Sequence, residues 1–328
     1  MLLAQGQTGL QDTERVQVLV PSHYRELVEP SLDGVGATWY EDGEGALEAI
    51  SKADAFWLEF WGRKRPSDSE LLERASDLRW VQTSSAGVEH HDLKAFARHQ
   101  IRLTNGAGLH APPIAEHVLM CMLAARRGLL PLLRVQAEGR WDRRAALGGE
   151  MTGARVLILG YGLIGQAIAH RARALGAQVT GARRRGRRSA NVILGDAWRD
   201  LLSEADFLVV AAPLTPQTRG MVGAAELAAL KPGAWVVNIA RGPLIHEEAL
   251  LAALRGDRLG GAALDVFDEE PLPEGHALWS LPNVILTPHV SAFTDRFPER
   301  AVELFLDNLR RFRAGRRLRN RVDLRAGY

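Results

Sequence analysis

The segment Leu157-Ile158-Leu159-Gly160-Tyr161-Gly162-Leu163-Ile164-Gly165 constrains this chain more than any other. An apolar run ends on Gly-x-Gly-x-x-Gly, a helical pattern follows to Leu175, and a second apolar run begins at Gln178. That order is a βαβ unit in which each glycine has its own task. Gly160 permits the tight turn, Gly162 lets the backbone approach a pyrophosphate, and Gly165 lets helix and strand pack closely. The anion would rest on the amides of Leu163 and Ile164, where unpaired N–H groups and the helix dipole favour negative charge.

Short apolar runs alternate with helical patterns on both sides of this unit. Upstream, 16–20, 37–40, 55–60, 79–83 and 101–104 read as strands, with helices at 45–52, 67–75 and 92–99. Downstream, 156–159, 178–182, 207–211, 234–239, 261–264 and 284–286 are short and continuously apolar, as in strands buried on both faces. Pro112-Pro113 opens a helix reaching about Leu129, since proline suits the first turn. The stretch 134–150 reads as a polar, Arg-rich connection, and 297–312 as an amphipathic helix. Strand and helix alternating twice predict two doubly wound α/β domains with parallel sheets.

Composition narrows the function. Lys+Arg 41 against Asp+Glu 39 gives a net charge of +2, too little to hold the chain on nucleic acid or an anionic membrane. The longest apolar stretch, 118–125, is too short to span a bilayer. Cys121 is the single cysteine, so no internal disulfide or multi-cysteine metal site is expected. The first residues lack a basic region followed by an apolar core, and a cytoplasmic enzyme is the expectation. His90 and His91 have no third ligand at fixed spacing, so no metal is expected.

The second strand of the βαβ unit predicts the cofactor. An acid about 20 residues beyond the glycines would hold the ribose hydroxyls of NAD. Here Val179-Thr180-Gly181-Ala182-Arg183-Arg184-Arg185 carries none, and none appears before Gly195. An acid would repel a 2′-phosphate, whereas the guanidinium of Arg183, helped by Arg184 or Arg185, offers it a planar fork. NADP(H) preferred over NAD(H) is the expectation. No aromatics interleave these arginines, which argues against nucleic acid.

Three further segments fall beyond ends of later strands, where an open α/β sheet places its ligand. They are Asn238-Ile239-Ala240-Arg241-Gly242-Pro243, Asp265-Val266-Phe267-Asp268-Glu269-Glu270-Pro271 and Thr287-Pro288-His289-Val290-Ser291. Each alone has an ordinary structural explanation. In this order, with Ser85-Ala86-Gly87-Val88-Glu89, Thr104-Asn105, His110-Ala111-Pro112-Pro113-Ile114-Ala115-Glu116-His117, Pro213-Leu214-Thr215-Pro216-Gln217-Thr218-Arg219-Gly220 and the closing 320–328, the chain resembles the D-isomer-specific 2-hydroxyacid dehydrogenases. It is most similar to their glyoxylate and hydroxypyruvate reductase-like branch.

The resemblance implies a Rossmann cofactor domain, 115–290, inserted into a flavodoxin-like substrate domain, 1–114 and 291–328. It implies reduction of a small 2-keto acid to the D-2-hydroxy acid, with His289 as general acid–base and Glu270 keeping its proton available. Arg241 would hold the substrate carboxylate and polarise the keto oxygen, and the amides of Ala86 and Gly87 would bind the same carboxylate. Asp265, with the backbone of Ile239 and Ala240, would hold the nicotinamide carboxamide, while Pro213 and Thr218 line the cofactor. The substrate would lie in a cleft that closes Gly87 toward Arg241. Trp57, Phe60, Trp61, Trp279 or Phe293 would approach carbon 3 and set specificity. A homodimer is implied, with Trp141 either in its contact or buried as an anchor in its own chain.

Departures from the family pattern are His246, where Asp is frequent, and Glu89, where Asp is commoner. Glu270 argues against a formate dehydrogenase, which carries Gln there, and Ala86 against a phosphite dehydrogenase, which carries Lys. The alternative of another class is a non-enzymatic NADP(H)-sensing or corepressor-like binding protein, which would not need Arg241, Glu270 and His289 together.

Overall fold

A computed structural model describes residues 15–60, 64–145, 148–184, 186 and 189–325. Arg185, Trp61 and the closing Gly327-Tyr328 lie outside them. The chain forms two compact units, Met1–Leu109 with Asp295–Tyr328, and His110–Thr294.

The first unit holds β1 (Gln17–Pro21), β2 (Gly36–Tyr40), β3 (Ala55–Leu58), β4 (Trp80–Thr83) and β5 (Arg102–Thr104). They form a parallel sheet in the order β2-β1-β3-β4-β5, the flavodoxin-like arrangement. Its strands read as unbroken apolar runs because both faces are covered. Val18, Val20, Ala55 and Trp57 pack with Tyr24 and with Leu304, Phe305 and Phe312 of the C-terminal helix Phe297–Arg313. Leu19, Phe56, Leu58 and Val81 point the other way, onto Ile50, Leu71, Leu72 and Phe96. Local chemistry starts the helices. Asp42 accepts the Gly45 N–H at 2.9 Å, Ser67 and Glu70 form a capping box, and Asp92 accepts the amides of Lys94 and Ala95.

The second unit holds β6 (Arg155–Leu159), β7 (Gln178–Arg183), β8 (Val192–Leu194), β9 (Phe207–Val210), β10 (Trp235–Asn238), β11 (Gly261–Leu264) and β12 (Val284–Leu286). All are parallel, in the order β12-β11-β10-β9-β6-β7-β8. The chain starts in the sheet at β6, winds out to β8, returns and winds the other way, which is the Rossmann order.

Several sequence expectations need correction. The helix opened by Pro112-Pro113 runs over Ala111–Arg126, because Gly128 adopts a left-handed conformation (φ +63°) and breaks it. A second helix, Leu129–Ala137, takes up part of the supposed polar connection. β8 and the helices Arg25–Val28 and Ala224–Ala229 add to the expected elements, while Glu247–Arg255 is the helix that His246 precedes, without a side-chain cap. β3 stops at Leu58 because Glu59 leaves the ladder and donates its N–H to the Tyr40 hydroxyl at 2.9 Å. Trp57 is fully buried among Tyr24 and Phe305 and cannot approach a substrate. Trp141 is 88% exposed, so it is no internal anchor. Among the described residues no helix is long and apolar enough to cross a membrane.

Candidate active site

The glycine loop joins β6 to the helix Leu163–Ala174. Gly160 turns with φ +99°, and a Cβ there would sit 2.4 Å from the Ala211 carbonyl carbon. A Cβ on Gly165 would fall 2.3 Å from the Gly160 oxygen, so helix and strand meet backbone to backbone. Gly162 differs, since a Cβ there would meet nothing within 4 Å. That open space borders the helix's first turn, where the N–H groups of Leu163 and Ile164 have no acceptor within the helix. A diphosphate fits this cradle.

Arg183 ends β7, with Arg184 exposed beyond it. The Arg183 guanidinium lies so near Gly186 that a Cβ there would come within 2.9 Å of its Cζ. Thr218 Oγ1 donates to the Pro213 carbonyl at 2.7 Å and accepts the Thr215 N–H at 2.8 Å. It therefore shapes the turn around Pro213.

Arg241, Glu270 and His289 lie beyond the carboxyl ends of the adjacent strands β10, β11 and β12, at one edge of the sheet. His289 donates Nδ1–H to Glu270 Oε2 at 2.7 Å. The other carboxylate oxygen accepts the Phe267 N–H at 3.0 Å, which fixes the acid. Both side chains are partly open to solvent, His289 at 47% and Glu270 at 36%. With Nδ1 engaged, Nε2 is the ring nitrogen available to a ligand, and the pair can deliver or accept one proton there. Arg241 turns Nη1 onto the Ala240 carbonyl at 2.7 Å. A Cβ on Gly242 would lie 2.0 Å from the Phe267 carbonyl carbon, so the Arg241 and Glu270 segments also pack backbone to backbone.

Buried polar side chains hold these segments. Asn238, at the end of β10, donates to the Arg241 carbonyl at 3.0 Å and accepts the Ala240 N–H at 3.1 Å. The Ile239 N–H goes to Val210 O, so only the carbonyls of Ile239 and Ala240 could serve a ligand. Asp265 is 1% exposed. Its Oδ1 accepts from Thr287 Oγ1 at 2.6 Å and Val290 N at 3.0 Å, and its Oδ2 from Ser291 N at 3.0 Å. It thus braces the turn in which His289 adopts a left-handed φ of +53°. Thr287 Oγ1 lies 3.3 Å from His117 Nε2. Burial lowers the His117 pKa below its ordinary value, although Asp265 pulls it upward. Burial, with Asp265 adding to it, pushes the Cys121 thiol up to about 12, which makes it a poor nucleophile.

Ala86 and Gly87 lie in the other unit, in the loop after β4. Asn105 Nδ2 donates to the Ala86 carbonyl at 2.7 Å. Among the described residues no acceptor takes the N–H of Ala86 or Gly87. Asn238, Thr287, His117 and Asn105 hold the site although no motif marks them. Their one signal in the sequence is a polar residue closing or following an apolar strand, as in Val236-Val237-Asn238 and Leu103-Thr104-Asn105.

Residues 119–291 match the family model described as D-isomer specific 2-hydroxyacid dehydrogenase, NAD binding domain. The chain is 36% identical over 282 residues to a glyoxylate reductase of Pyrococcus furiosus, covering 83% of each protein. It is 33% identical to a D-3-phosphoglycerate dehydrogenase of Methanocaldococcus jannaschii over 94% of its own length, but spans only 60% of that protein. Among solved structures it resembles an NADPH-dependent glyoxylate/hydroxypyruvate reductase of Sinorhizobium meliloti in complex with NADP and sulfate. That match has 30% identity and a TM-score of 0.79, covering 95% of this chain and 100% of the other. With its Rossmann unit and this breadth of similarity, the chain belongs to the D-isomer specific 2-hydroxyacid dehydrogenase family.

Proposed function

We propose that this protein reduces a small 2-keto acid, such as glyoxylate or hydroxypyruvate, to the D-2-hydroxy acid, preferring NADPH to NADH. The observation that carries the reading is the His289–Glu270 pair, 2.7 Å apart, with the acid's second oxygen fixed by the Phe267 amide. The nicotinamide cofactor supplies a hydride to carbon 2. His289 Nε2–H donates the proton that the keto oxygen needs, and Glu270 stabilises the imidazolium before transfer. Arg241 holds the substrate carboxylate and sets positive charge where negative charge develops. The Ala86 and Gly87 amides bind that same carboxylate. Gly160, Gly162, Gly165 and the Leu163 and Ile164 amides hold the diphosphate in the His110–Thr294 unit, with Pro213 and Thr218 beside them. The Ile239 and Ala240 carbonyls face the carboxamide, and buried Asp265 serves that end of the site by bracing the turn that carries His289.

Arg183 and Arg184 favour the 2′-phosphate, a reading supported by the missing acid and by the NADP bound to the Sinorhizobium relative. A homodimer is part of the reading. Its support is the exposed apolar surface of Met120, Leu123, Leu129, Leu132, Leu133 and Trp141. Sedimentation as a monomer at micromolar concentration would refute that part. The central test follows coenzyme oxidation with a panel of 2-keto acids, using NADPH and NADH in parallel. Turnover of glyoxylate or hydroxypyruvate with NADPH preferred is expected. Coenzyme binding without turnover of any keto acid would replace the enzyme with a binding protein.

A further inference from the structure

Behind the loop that carries Ala86 and Gly87 lies a buried carboxylate that no step above uses. Glu59 follows β3 and its side chain is 4% exposed. Tyr24 donates its hydroxyl to Oε1 at 2.7 Å, and His23 Nε2 stands 3.3 Å from the same oxygen. The Ser84 hydroxyl donates to Oε2. Trp57 Nε1 donates to Ser84 Oγ at 2.8 Å, so the serine hydroxyl accepts from one side and donates to the other. Burying a carboxylate is unfavourable unless its oxygens are fully paired. This one is well paired, and what it fixes is Ser84.

Ser84 is the root of the loop. Ser85 O accepts the Gly106 N–H at 2.8 Å, Ala86 O accepts Asn105 Nδ2 at 2.7 Å, and Val88 O accepts the His91 N–H at 3.0 Å. A Cβ on Gly106 would fall 2.0 Å from the Ser84 oxygen, so the turns after β4 and β5 touch through their backbones. These bonds engage the loop's carbonyls and leave the Ala86 and Gly87 N–H groups as donors. At the far end Asp92 donates its N–H to Asp68 Oδ2 at 2.7 Å, and His91 Nδ1 stands 3.2 Å from the same oxygen.

We propose that Glu59 is a positioning residue for the substrate carboxylate: through Ser84 it holds the Ala86 and Gly87 amides in place, so substrate affinity depends on an acid that touches no substrate. This inference rests on the proposal that those amides bind the carboxylate. Glutamine keeps the volume of Glu59 but replaces an acceptor oxygen with a donor NH₂. Either the Ser84 or the Tyr24 hydroxyl must then reverse, and a reversed Ser84 would no longer donate into the pocket that holds it.

The test is steady-state kinetics with glyoxylate and NADPH, beside NADPH titration and thermal melts. Glu59→Gln should raise the KM for glyoxylate about tenfold, the loss of roughly one charge-assisted bond, and leave kcat and NADPH affinity unchanged. Ser84→Ala should do the same and Ser84→Thr should restore part of the affinity, which keeps the test open if Glu59→Gln does not fold. Ala86→Pro, or Gly87→Pro, removes a loop N–H and reads the underlying proposal. If neither proline variant raises the KM, the loop does not bind the carboxylate and both proposals fall. If a proline variant raises it while folded Glu59→Gln and Ser84→Ala do not, the loop reading stands and Glu59 has no positioning role. Equal losses in kcat, KM and NADPH affinity would mark a general structural defect and also overturn the inference.

Discussion

The two units present their chemistry in opposite ways. At the edge of the seven-stranded sheet, side chains with distinctive chemistry stand partly open to solvent, and buried Asn238 and Asp265 hold the backbone beneath them. In the five-stranded unit the order is reversed. The loop after β4 offers backbone N–H groups, and the buried acids Glu59 and Asp68 hold its two ends. A side-chain site can be found from residue identities. The Ala86 and Gly87 amides carry no side-chain signature of their own, and what holds them in place lies behind the loop.

This contrast predicts different kinetic signatures. The largest effect belongs to the side-chain site. His289→Ala should lower kcat about 10²–10⁴-fold, the usual contribution of a positioned general acid, with NADPH affinity retained. A variant that kept its kcat would remove the distinction between the two edges. Next comes Arg183→Ala, which should weaken NADPH binding by about 1–3 kcal/mol and NADH binding far less. Equal losses for the two coenzymes in a fluorescence titration would show that Arg183 does not read the 2′-phosphate.

The smallest effect belongs to the buried acids of the first unit and appears in acid. Burial pushes the Asp68 carboxyl up, but the His91 hydrogen bond and charge, Arg65 and the Asp92 N–H outweigh it and hold its pKa below the ordinary value. An unfolded aspartate titrates near about 3.9, so the unfolded chain takes up a proton there before the folded chain does. The stabilisation from Asp68 is therefore present above about pH 5 and is lost as pH falls through the depressed folded value. Melts between roughly pH 6 and pH 3 should show a shallower acid decline for Asp68→Asn than for the parent protein. Parallel curves would remove Asp68 from the acid response.

The fold class and the glycine loop are legible in the sequence because both depend on local patterns. Gly160, Gly162 and Gly165 have fixed spacing between a strand and a helix, whereas Arg241, Glu270 and His289 are ordinary one by one and take their expected roles from the family resemblance that their order carries. β8 escaped notice because three residues after an Arg-rich stretch carry no period. The helix Leu129–Ala137 was masked by Gly128, which ends one periodic pattern and starts another within three residues of Arg126. Asn238, Asp265 and Asn105 were read without their bracing roles because their partners are mainly backbone atoms, and for Asp265 and Asn105 those lie far along the chain. Asp265 reaches Ser291, and Asn105 reaches Ala86. Trp57 misled for a similar reason, since its burial depends on Phe305 from the opposite end of the sequence.

His289 occupies a backbone conformation that a β-carbon disfavours, at φ +53°. Left-handed geometry costs a non-glycine residue on the order of 1–2 kcal/mol, while a partly exposed ion pair returns about 0–1 kcal/mol. The position best suited to the proposed proton donor is thus one that glycine would fill more comfortably. His289→Gly should melt higher than the parent while losing turnover, and a lower melting temperature would refute this trade. A descendant released from selection for catalysis would have a downhill path to inactivity at this residue, gaining robustness as it lost chemistry.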